Sequence, residues 1–403
     1  MYPNKMLNFH LSEYFRAEVF LSMIDLFFLI SLTLITYVYL IYPFLLWIIS
    51  ILHPLNKKRK RTETISKFSI IVPTYNEELV IKSKLQSLVG ASHIRDYEII
   101  VVDSGSNDHT CDIVHDFKKN GVALIRQEKR LGKASAINLA LNVAKEEIIV
   151  ITDANSKVEL EEIFQLIQNF DSNIGAVLPR LMPTKNAKLW HKLFYQIHHV
   201  VKTLESKCDS VFFVFGELFM FRKKLIDKID ENIASDDLEI AFKIRRKGYK
   251  IKYVPHVRVF EKTPDTIRDD RLQRVRRAFG VLQVMVKNKD MLLNPKFGVY
   301  GLVIFPTNFL RLTVIPFLTL LVIALCLIKF FNLIFLLFSS MYHWLFLVGL
   351  FCFLIMLSKK FRQLVAVFIN FALTQVYIIS ALIDLLRGKS YRVWEKIETT
   401  RTE

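Results

Sequence analysis

Hydrophobic and polar positions divide the chain into membrane-like and sheet-like parts. Residues 26–52 form an almost unbroken apolar run, and further apolar runs follow at 299–330, 333–357 and 364–386. About 20 consecutive apolar residues are enough to cross the hydrocarbon core of a bilayer. Between these runs, residues 66–290 alternate short apolar stretches with amphipathic ones, as strands and helices do. We therefore expect an α/β domain inserted between N-terminal and C-terminal transmembrane helices.

Within that domain, strand and helix patterns follow one another in a repeating order. Residues 68–72 and 98–102 are short apolar runs typical of buried strands. Residues 78–89 and about 110–119 have the apolar spacing of helices. A strand, a polar turn and a helix thus repeat, which predicts βαβ winding around a parallel sheet.

The segments outside the domain indicate how the chain is oriented in a membrane. Residues 1–25 mix aromatic and charged side chains, which fits either a helix along the membrane interface or a loose terminus. Residues 57–61 are all basic, so the positive-inside rule places the domain after them in the cytoplasm. Three spans within 299–386 would put the basic tail, residues 387–403, outside the cell. We therefore expect one of these segments to be re-entrant or interfacial in a multi-pass protein of the cell membrane, with a cytoplasmic tail.

The composition supports a membrane protein that handles anions. Of its 403 residues, 52% are hydrophobic, which is too apolar for a soluble enzyme. The formal net charge is +17, and the basic residues concentrate beside the membrane segments and at 268–277. The interleaved exposed aromatics of a single-strand binding surface are missing from this pattern. We expect membrane lipids and an anionic small substrate as partners, and no nucleic acid.

Acidic and amide residues follow two of the apolar strands. Asp103 ends one strand, where its carboxylate either accepts a hydrogen bond from a ligand or only caps the turn that follows. Asp153 and Asn155 end another, and side chains two residues apart point to the same side of an extended chain. Hard oxygen ligands at this spacing suit Mg²⁺ or Mn²⁺ bridging a diphosphate, although an Asx turn would use the same residues.

A glycine between these two strands precedes a helix of small residues. Gly132 is flanked by Arg130 and Lys133, and the helix start beside these two cations is suited to phosphate oxygens. The segment lacks the other glycine and hydroxyl positions of a Walker loop, which argues against an ATPase.

Two further motifs lie near the end of the domain. Ser235, Asp236 and Asp237 either cap a helix or supply adjacent carboxylates for catalysis, one of which orients the loop while the other accepts a proton. The basic segment from Gln273 to Arg277 is either a membrane-facing helix or an active-site element.

In this order the motifs resemble those of membrane-anchored members of glycosyltransferase family 2. The resemblance covers residues 66–280. It rests on Pro73-Thr74-Tyr75-Asn76-Glu77, Asp103, Gly132-Lys133, Asp153-Ala154-Asn155, Asp236-Asp237 and Gln273 to Arg277. It implies a GT-A fold, which is a Rossmann-like nucleotide-sugar domain. It also implies inverting transfer of a sugar from a nucleotide-sugar donor, with UDP as the expected nucleotide, to a glycan or lipid acceptor.

The resemblance also implies roles for the matching residues. Asp237 is the expected general base beside Asp236, Arg276 neutralises the departing nucleoside diphosphate, and Gln273 shapes that site. The expected substrate-binding residues are Pro73, Thr74, Glu77, Asp103, Arg130, Lys133, Asp153 and Arg277, and the expected metal ligands for Mg²⁺ or Mn²⁺ are Asp153 and Asn155.

Two positions depart from the family pattern. Asn155 stands where many members have Asp, which lowers the expected metal affinity. Arg277 stands where the Gln-x-x-Arg-Trp motif has its Trp, and that Trp lies near the acceptor sugar in processive members. The departure favours a single transfer over polymer extension. Two alternatives stay open, namely a homo-oligomer and a noncatalytic nucleotide-sugar-binding membrane component of a polysaccharide assembly or secretion complex.

Overall fold

The protein divides into two compact units in a computed structural model. One unit comprises residues 1–44 and 310–376, and the other comprises residues 45–309 and 377–403. The structure describes residues 22–52, 67–89, 97–185, 187–338, 348–349, 351–353, 356, 358–393 and 401. Each unit is described below by itself.

The second unit is built on a seven-stranded mixed sheet. Its strands are β1 Phe68–Thr74, β2 Tyr97–Asp103, β3 Val122–Arg126, β4 Ile148–Ile151, β5 Ile174–Pro183, β6 Phe219–Arg222 and β7 Lys250–Glu261. Their order across the sheet is β3-β2-β1-β4-β6-β5-β7. The first four are parallel, and β6 lies antiparallel to both of its neighbours. The α/β fold with parallel βαβ winding that the sequence predicts is therefore confirmed.

The core strands are buried on both faces, which explains their unbroken apolar sequence. Ile70, Val72 and Val101 belong to a single buried cluster with side chains of the covering helices. In the register of β1 with β2, Thr74 lies opposite Asp103, so the polar loops after both strands emerge at the same edge of the sheet. We call this the carboxyl edge.

Helices cover the sheet and frame its carboxyl edge. They are α2 Ile81–Val89, α3 Thr110–Asp116, α4 Lys133–Val143, α5 Leu160–Ile167, α6 Leu189–Cys208, α7 Asp236–Arg246, α8 Ile267–Lys287 and α9 Phe305–Thr313. The helix predicted over 78–89 begins only at Ile81, because a turn precedes it. The helix predicted over 110–119 ends at Asp116, and a short 3₁₀ turn at Lys118–Asn120 follows it.

Three helices of the described chain are long and apolar enough to cross a membrane. They are α1 Ser22–Leu52, with a π turn at Tyr37–Ile41, then α10 Ile315–Phe338 and α11 Lys359–Leu386. In the first unit, Lys329 pairs with Asp25 at 2.9 Å. Of the predicted interfacial segment 1–25, residues 1–21 lie outside the described residues. The same holds for much of the predicted apolar run 333–357.

Candidate active site

Two loops at the carboxyl edge are joined by hydrogen bonds between their side chains and backbone. Asn76, in the loop after β1, receives a hydrogen bond on its side-chain oxygen from the Asn107 amide, and its own amide donates to Ser106 Oγ at 2.8 Å. The Glu77 amide donates to Thr110 Oγ1 at 2.8 Å. Asn76 has a φ of 53°, a left-handed conformation that asparagine tolerates better than most residues. These contacts fix the loop that carries the predicted nucleoside-binding residues.

Asp103 supports this arrangement from inside the protein. It is fully buried, and its Oδ2 accepts hydrogen bonds from the amides of Gly105 and Ser106 at 3.1 and 2.9 Å, while Oδ1 accepts one from Ser106 Oγ. This is the turn-capping alternative considered above. The side chain orders the loop after β2, and a direct contact with a nucleoside stays a prediction.

Pro73 and Thr74 end β1 at the same edge. Thr74 is buried and donates through Oγ1 to the Val102 carbonyl at 3.3 Å. The loop that precedes α4 lies beside them, with the Arg130 guanidinium 3.9 Å from the centre of the Tyr75 ring. The first predicted motif and the Arg130 to Lys133 segment are therefore neighbours.

Lys133 joins two predicted acidic motifs. Its Nζ lies 2.7 Å from Asp153 Oδ1 and 3.6 Å from Asp236 Oδ2. Gly132 precedes it with a φ of 95°, which starts α4 directly at the lysine. The strand end of β4 and the N-terminus of α7 thus meet at one ammonium group.

Gly216 marks the position where these groups converge. A methyl group there would lie 2.7 Å from Lys133 Nζ, 3.8 Å from Asp237 Oδ2 and 3.9 Å from Asp153 Oδ2. Three predicted site residues from three different motifs therefore surround one point. We call Lys133, Asp153, Asp236 and Asp237 the carboxylate cluster.

Ser235 interacts with an acid of this cluster instead of the helix backbone. Its hydroxyl donates to Asp237 Oδ1 at 2.6 Å, and the same oxygen accepts from the Leu238 amide at 2.8 Å. The Ser235 side chain makes no capping hydrogen bond to α7. The helix-capping interpretation of Ser235 is therefore wrong, because its hydroxyl orients a carboxylate.

Burial and mutual attraction set the charges in the cluster. Burial alone would lower the pKa of Lys133 and raise that of Asp153, but the close pairing of the two groups outweighs burial and shifts both pKa values the other way. Asp236 differs, because burial raises the pKa of its carboxyl to about 6 despite Lys133. Its Oδ2 is buried without a hydrogen-bond partner in the described protein. The cluster therefore keeps an ionised Lys133 and Asp153.

A second cluster surrounds Arg277. Its Nη2 lies 2.9 Å from Glu217 Oε1 and 2.5 Å from Glu261 Oε1, and Gln273 Nε2 donates to the same Glu261 oxygen at 3.3 Å. Tyr195 donates its hydroxyl to Glu261 Oε2. We call this group the Arg277 cluster. It shows that Arg277 occupies its position as the partner of two buried carboxylates.

One positive charge is shared between two acids in the Arg277 cluster, with a consequence for protonation. Burial, followed by repulsion from Glu261, raises the pKa of Glu217 to about 8. Glu217 Oε2 is buried and has no hydrogen-bond partner among the described residues. We therefore expect Glu217 to hold a proton at neutral pH.

Arg276 lies between the two clusters in electrostatic terms. Burial and the neighbouring Arg277 lower the pKa of its guanidinium to about 10, while Asp153 and Glu217 act in the opposite direction. It remains charged at neutral pH and interacts with Asp153, which is the position expected for a group that stabilises an anion there.

The described residues contain no group of three or more His, Cys, Asp or Glu side chains arranged to hold a metal ion. A Mg²⁺ or Mn²⁺ ion that bridges phosphates needs only one or two carboxylates from the protein, so this does not conflict with the prediction. Asp153 is one such carboxylate, with about a third of its side chain exposed. Asn155 is half-buried in the turn that follows. These oxygen donors fit an ion of this class.

Several residues of the two clusters escaped the sequence analysis. Glu261 ends the alternating strand β7 in an acid, the same signal that identified Asp103, and could have been found in that way. Glu217 follows a glycine between apolar residues, which is a weaker signal. Tyr195 and Arg401 carry no signal, because they reach the site only through folding.

Comparison with known proteins gives the chain a family. Residues 69–230 match the model of Glycosyl transferase family 2. The chain is 27% identical over 236 residues to the poly-beta-1,6-N-acetyl-D-glucosamine synthase of Staphylococcus epidermidis, covering 56% of this chain and 57% of that protein. It is 25% identical over 248 residues to the synthase of the same name from Staphylococcus aureus strain COL, covering 59% and 60%. The chain therefore spans less than two thirds of the length of these curated relatives.

A solved structure agrees with the fold over nearly the whole chain. The mannosyltransferase PcManGT from Pyrobaculum calidifontis, in complex with GDP-Man and Mn²⁺, matches with a TM-score of 0.67 and 23% identity. The match covers 90% of this chain and 99% of that protein. It shows that the sheet domain has the expected GT-A fold.

Proposed function

We propose, from the premise that this chain carries a glycosyl transferase family 2 domain, that it is a membrane-bound inverting glycosyltransferase. It moves a sugar from a nucleotide-sugar donor, with UDP as the nucleotide, to a glycan or lipid acceptor. The observation that carries the proposal is the carboxylate cluster, in which Lys133, Asp153 and Asp237 surround one point at the carboxyl edge of the sheet. Ligands of open α/β sheets bind at this edge.

The donor is bound in two parts. Thr74, Glu77 and Asp103 belong to the ordered loops after β1 and β2, and we assign the nucleoside to them. Lys133 and Arg130 lie beside the start of α4, where a helix N-terminus and two cations favour a diphosphate. The names of the curated relatives make an N-acetylglucosamine donor the first one to test.

Asp237 is the proposed general base. Two hydrogen bonds hold its Oδ1, and its Oδ2 lies within 4 Å of the convergence point beside Gly216. In the reaction it removes the proton from the acceptor hydroxyl as that oxygen attacks the anomeric carbon. The bond from this carbon to the donor phosphate oxygen breaks on the opposite face, so the sugar configuration inverts. Arg276 stabilises the charge that develops on the departing nucleoside diphosphate.

A divalent ion completes the proposal for the donor site. Asp153 and Asn155 would hold Mg²⁺ or Mn²⁺, and the ion would neutralise the diphosphate oxygens. Lys133 is already paired with Asp153 and supplies positive charge at the same place. The similar mannosyltransferase structure contains Mn²⁺, which supports this class of ion for the fold.

The Arg277 cluster supports a single transfer. An indole stacks on the face of an acceptor sugar, whereas Arg277 is held by Glu217 and Glu261. A growing polymer chain would therefore lose a stacking platform at this position. We propose that the enzyme adds one or a few sugars to its acceptor.

The test is a transfer assay on the full chain, purified in detergent and incubated with a panel of radiolabelled nucleotide sugars. We expect transfer from one donor, a short product, and loss of transfer when a chelator is in excess. Asp237→Asn should reduce kcat by at least about a thousandfold while the Kd for the nucleoside diphosphate stays within about twofold. Asp116→Asn, at an exposed site on α3, is the matched control.

Three results would contradict parts of this proposal. No release of nucleoside diphosphate from any donor would favour the noncatalytic component. Full activity in chelator would remove the metal. Loss of nucleotide binding together with transfer in Asp237→Asn would remove the assignment of Asp237 as a base.

A further inference from the structure

The tail, residues 387–403, returns to the domain after α11. Tyr391 packs against Phe279 of α8 with ring centres 4.7 Å apart, and its hydroxyl donates to Asp384 at 2.7 Å. Arg392 donates through Nε to the Leu131 carbonyl at 3.1 Å. A Cβ atom on Gly132 would lie only 2.8 Å from the Arg392 carbonyl oxygen. The tail therefore packs tightly on the loop that leads into Lys133.

Arg401 of the same tail reaches the first predicted motif. Its Nη2 donates to Glu77 Oε1 at 2.9 Å, and its Nε lies 3.2 Å from Oε2. Both residues are buried, with 7% of each exposed. A buried pair of this kind is costly to desolvate, so it adds little to stability by itself. Its position in the site calls for a functional explanation.

The charges around Arg401 indicate what it faces. Arg401 interacts electrostatically with Asp153 and lowers the pKa of its carboxyl, as Lys133 and Arg276 also do. It also acts on Arg276, where its like charge disfavours the protonated guanidinium. Two guanidinium groups held near each other repel, and an anion placed beside them relieves that repulsion. Both are near Asp153, the residue assigned to the diphosphate.

We propose that Arg401 is a donor-binding residue that the tail supplies to the cleft, where its guanidinium contacts the diphosphate of the nucleotide sugar. Glu77 holds the Nε and Nη2 edge of the guanidinium and thereby fixes the direction of the group. The inference rests on the proposed function, because it assigns a further residue to the same donor site. It also gives the tail a role, since the donor site is incomplete without it.

Titration of the full chain in detergent with nucleoside diphosphate and with the matching nucleoside tests this assignment, using uridine and guanosine ligands. Arg401→Ala should raise the Kd of the nucleoside diphosphate by about 10- to 100-fold, the loss expected for a hydrogen-bonded charge pair. The Kd of the nucleoside should stay within about twofold, because the lost contact is with phosphate. In the transfer assay, the donor KM should rise by a similar factor.

Two further variants keep the test decisive. Arg401→Lys retains the charge but loses the planar fork, and should show a smaller increase in Kd even if Arg401→Ala proves too unstable to purify. Lys119→Ala, at an exposed position after α3, is a control for the loss of one positive charge. A thermal unfolding scan of each variant separates weakened binding from misfolding.

The outcomes separate this inference from the proposed function. An unchanged Kd in both Arg401 variants would overturn the inference while leaving transfer intact. Equal weakening for nucleoside and nucleoside diphosphate would also overturn it, as would tighter binding, which would mean that the tail blocks the cleft. A wild-type protein that binds the nucleotide but transfers no sugar would contradict the function and leave the role of Arg401 supported. A wild-type protein that binds none of these ligands would overturn both.

Discussion

At the scale of single residues, the Arg277 cluster shows how one replacement alters a site. A tryptophan at this position would leave Glu217 and Glu261 buried without a cation, and unpaired buried charges are strongly destabilising. Arg277 and the two acids therefore form one interdependent unit. Because Lys202 lies 3.7 Å over the Phe215 ring nearby, with a pKa that burial lowers to about 7, further charge is confined to this region.

Glu217 gives a prediction for pH dependence. Its pKa in the folded protein is about 8, above the ordinary value of 4.5, so the folded state holds a proton that the unfolded state releases between these values. The stability that Glu217 contributes is therefore complete below about pH 4.5 and is lost as the pH rises through about 8. Glu217→Gln mimics the protonated form and should remove this loss.

Thermal unfolding of wild type and Glu217→Gln between pH 5.5 and pH 9, both ranges chosen as about two units around the transition, tests this. The wild-type Tm should fall relative to that of the variant by about 2 °C or more as the pH rises. Comparing the two proteins cancels the opposite effect of Lys202, whose lowered pKa makes stability rise with pH. Parallel Tm curves would show that Glu217 is already ionised in the folded protein.

At the scale of elements, α8 positions the start of α7 by direct contact. Gly280 of α8 lies against Ser235, and a Cβ atom there would be 2.8 Å from the Ser235 Cβ and 3.2 Å from its backbone nitrogen. Ser235 in turn orients Asp237. The helix that carries Gln273 and Arg276 thus also supports the residue assigned as the base, which explains why these motifs act together.

Gly280→Ala should therefore reduce kcat without a comparable change in nucleotide binding. The added methyl group pushes Ser235 and the turn before Asp237 away from α8, and a displacement of about 1 Å at a catalytic group can cost about a hundredfold in rate. Val286→Ala, at an exposed site further along α8, is the control. Steady-state kinetics with saturating donor measure the effect. Unchanged kcat in Gly280→Ala would mean that the turn adapts and that α8 does not set the position of Asp237.

At the scale of the whole molecule, the contacts of the tail constrain the membrane topology. Arg392 contacts Leu131 and Glu231 of the domain within the same compact unit. The tail and the domain therefore lie on the same side of any membrane that the chain crosses. An even number of crossings must separate them, and α10 and α11 supply two. This supports the cytoplasmic tail expected from its basic residues and fits the exclusion of a third full span.

Labelling of single-cysteine variants with a membrane-impermeant maleimide tests the topology. In a background without the native cysteines, Lys119→Cys in the domain and Ser390→Cys in the tail should react only after the cells are permeabilised. Ser358→Cys, exposed immediately before α11, should react in intact cells. Labelling of the tail but not the domain in intact cells would contradict both the parity of the crossings and the tail contacts.

The sequence by itself determined the elements and the edge at which the chemistry lies. Apolar runs that end in Asp103 and Asp153 define parallel strands, and the carboxyl ends of such strands must meet at one side of a sheet. Local periodicity also gave the membrane helices, because a bilayer imposes a length that can be counted along the chain. The ordered motifs then pointed to the family that comparison supports.

Only the tertiary structure decided which charges share a partner. The pairing of Lys133 with Asp153, the protonation of Glu217 and the orientation of Asp237 by Ser235 depend on burial and distances of a few ångströms, which no local pattern encodes. Arg401 meets Glu77 across 324 residues of chain. Electrostatic energies in a protein depend on the separation and solvation of charges in space, so spacing along the sequence could not reveal these interactions.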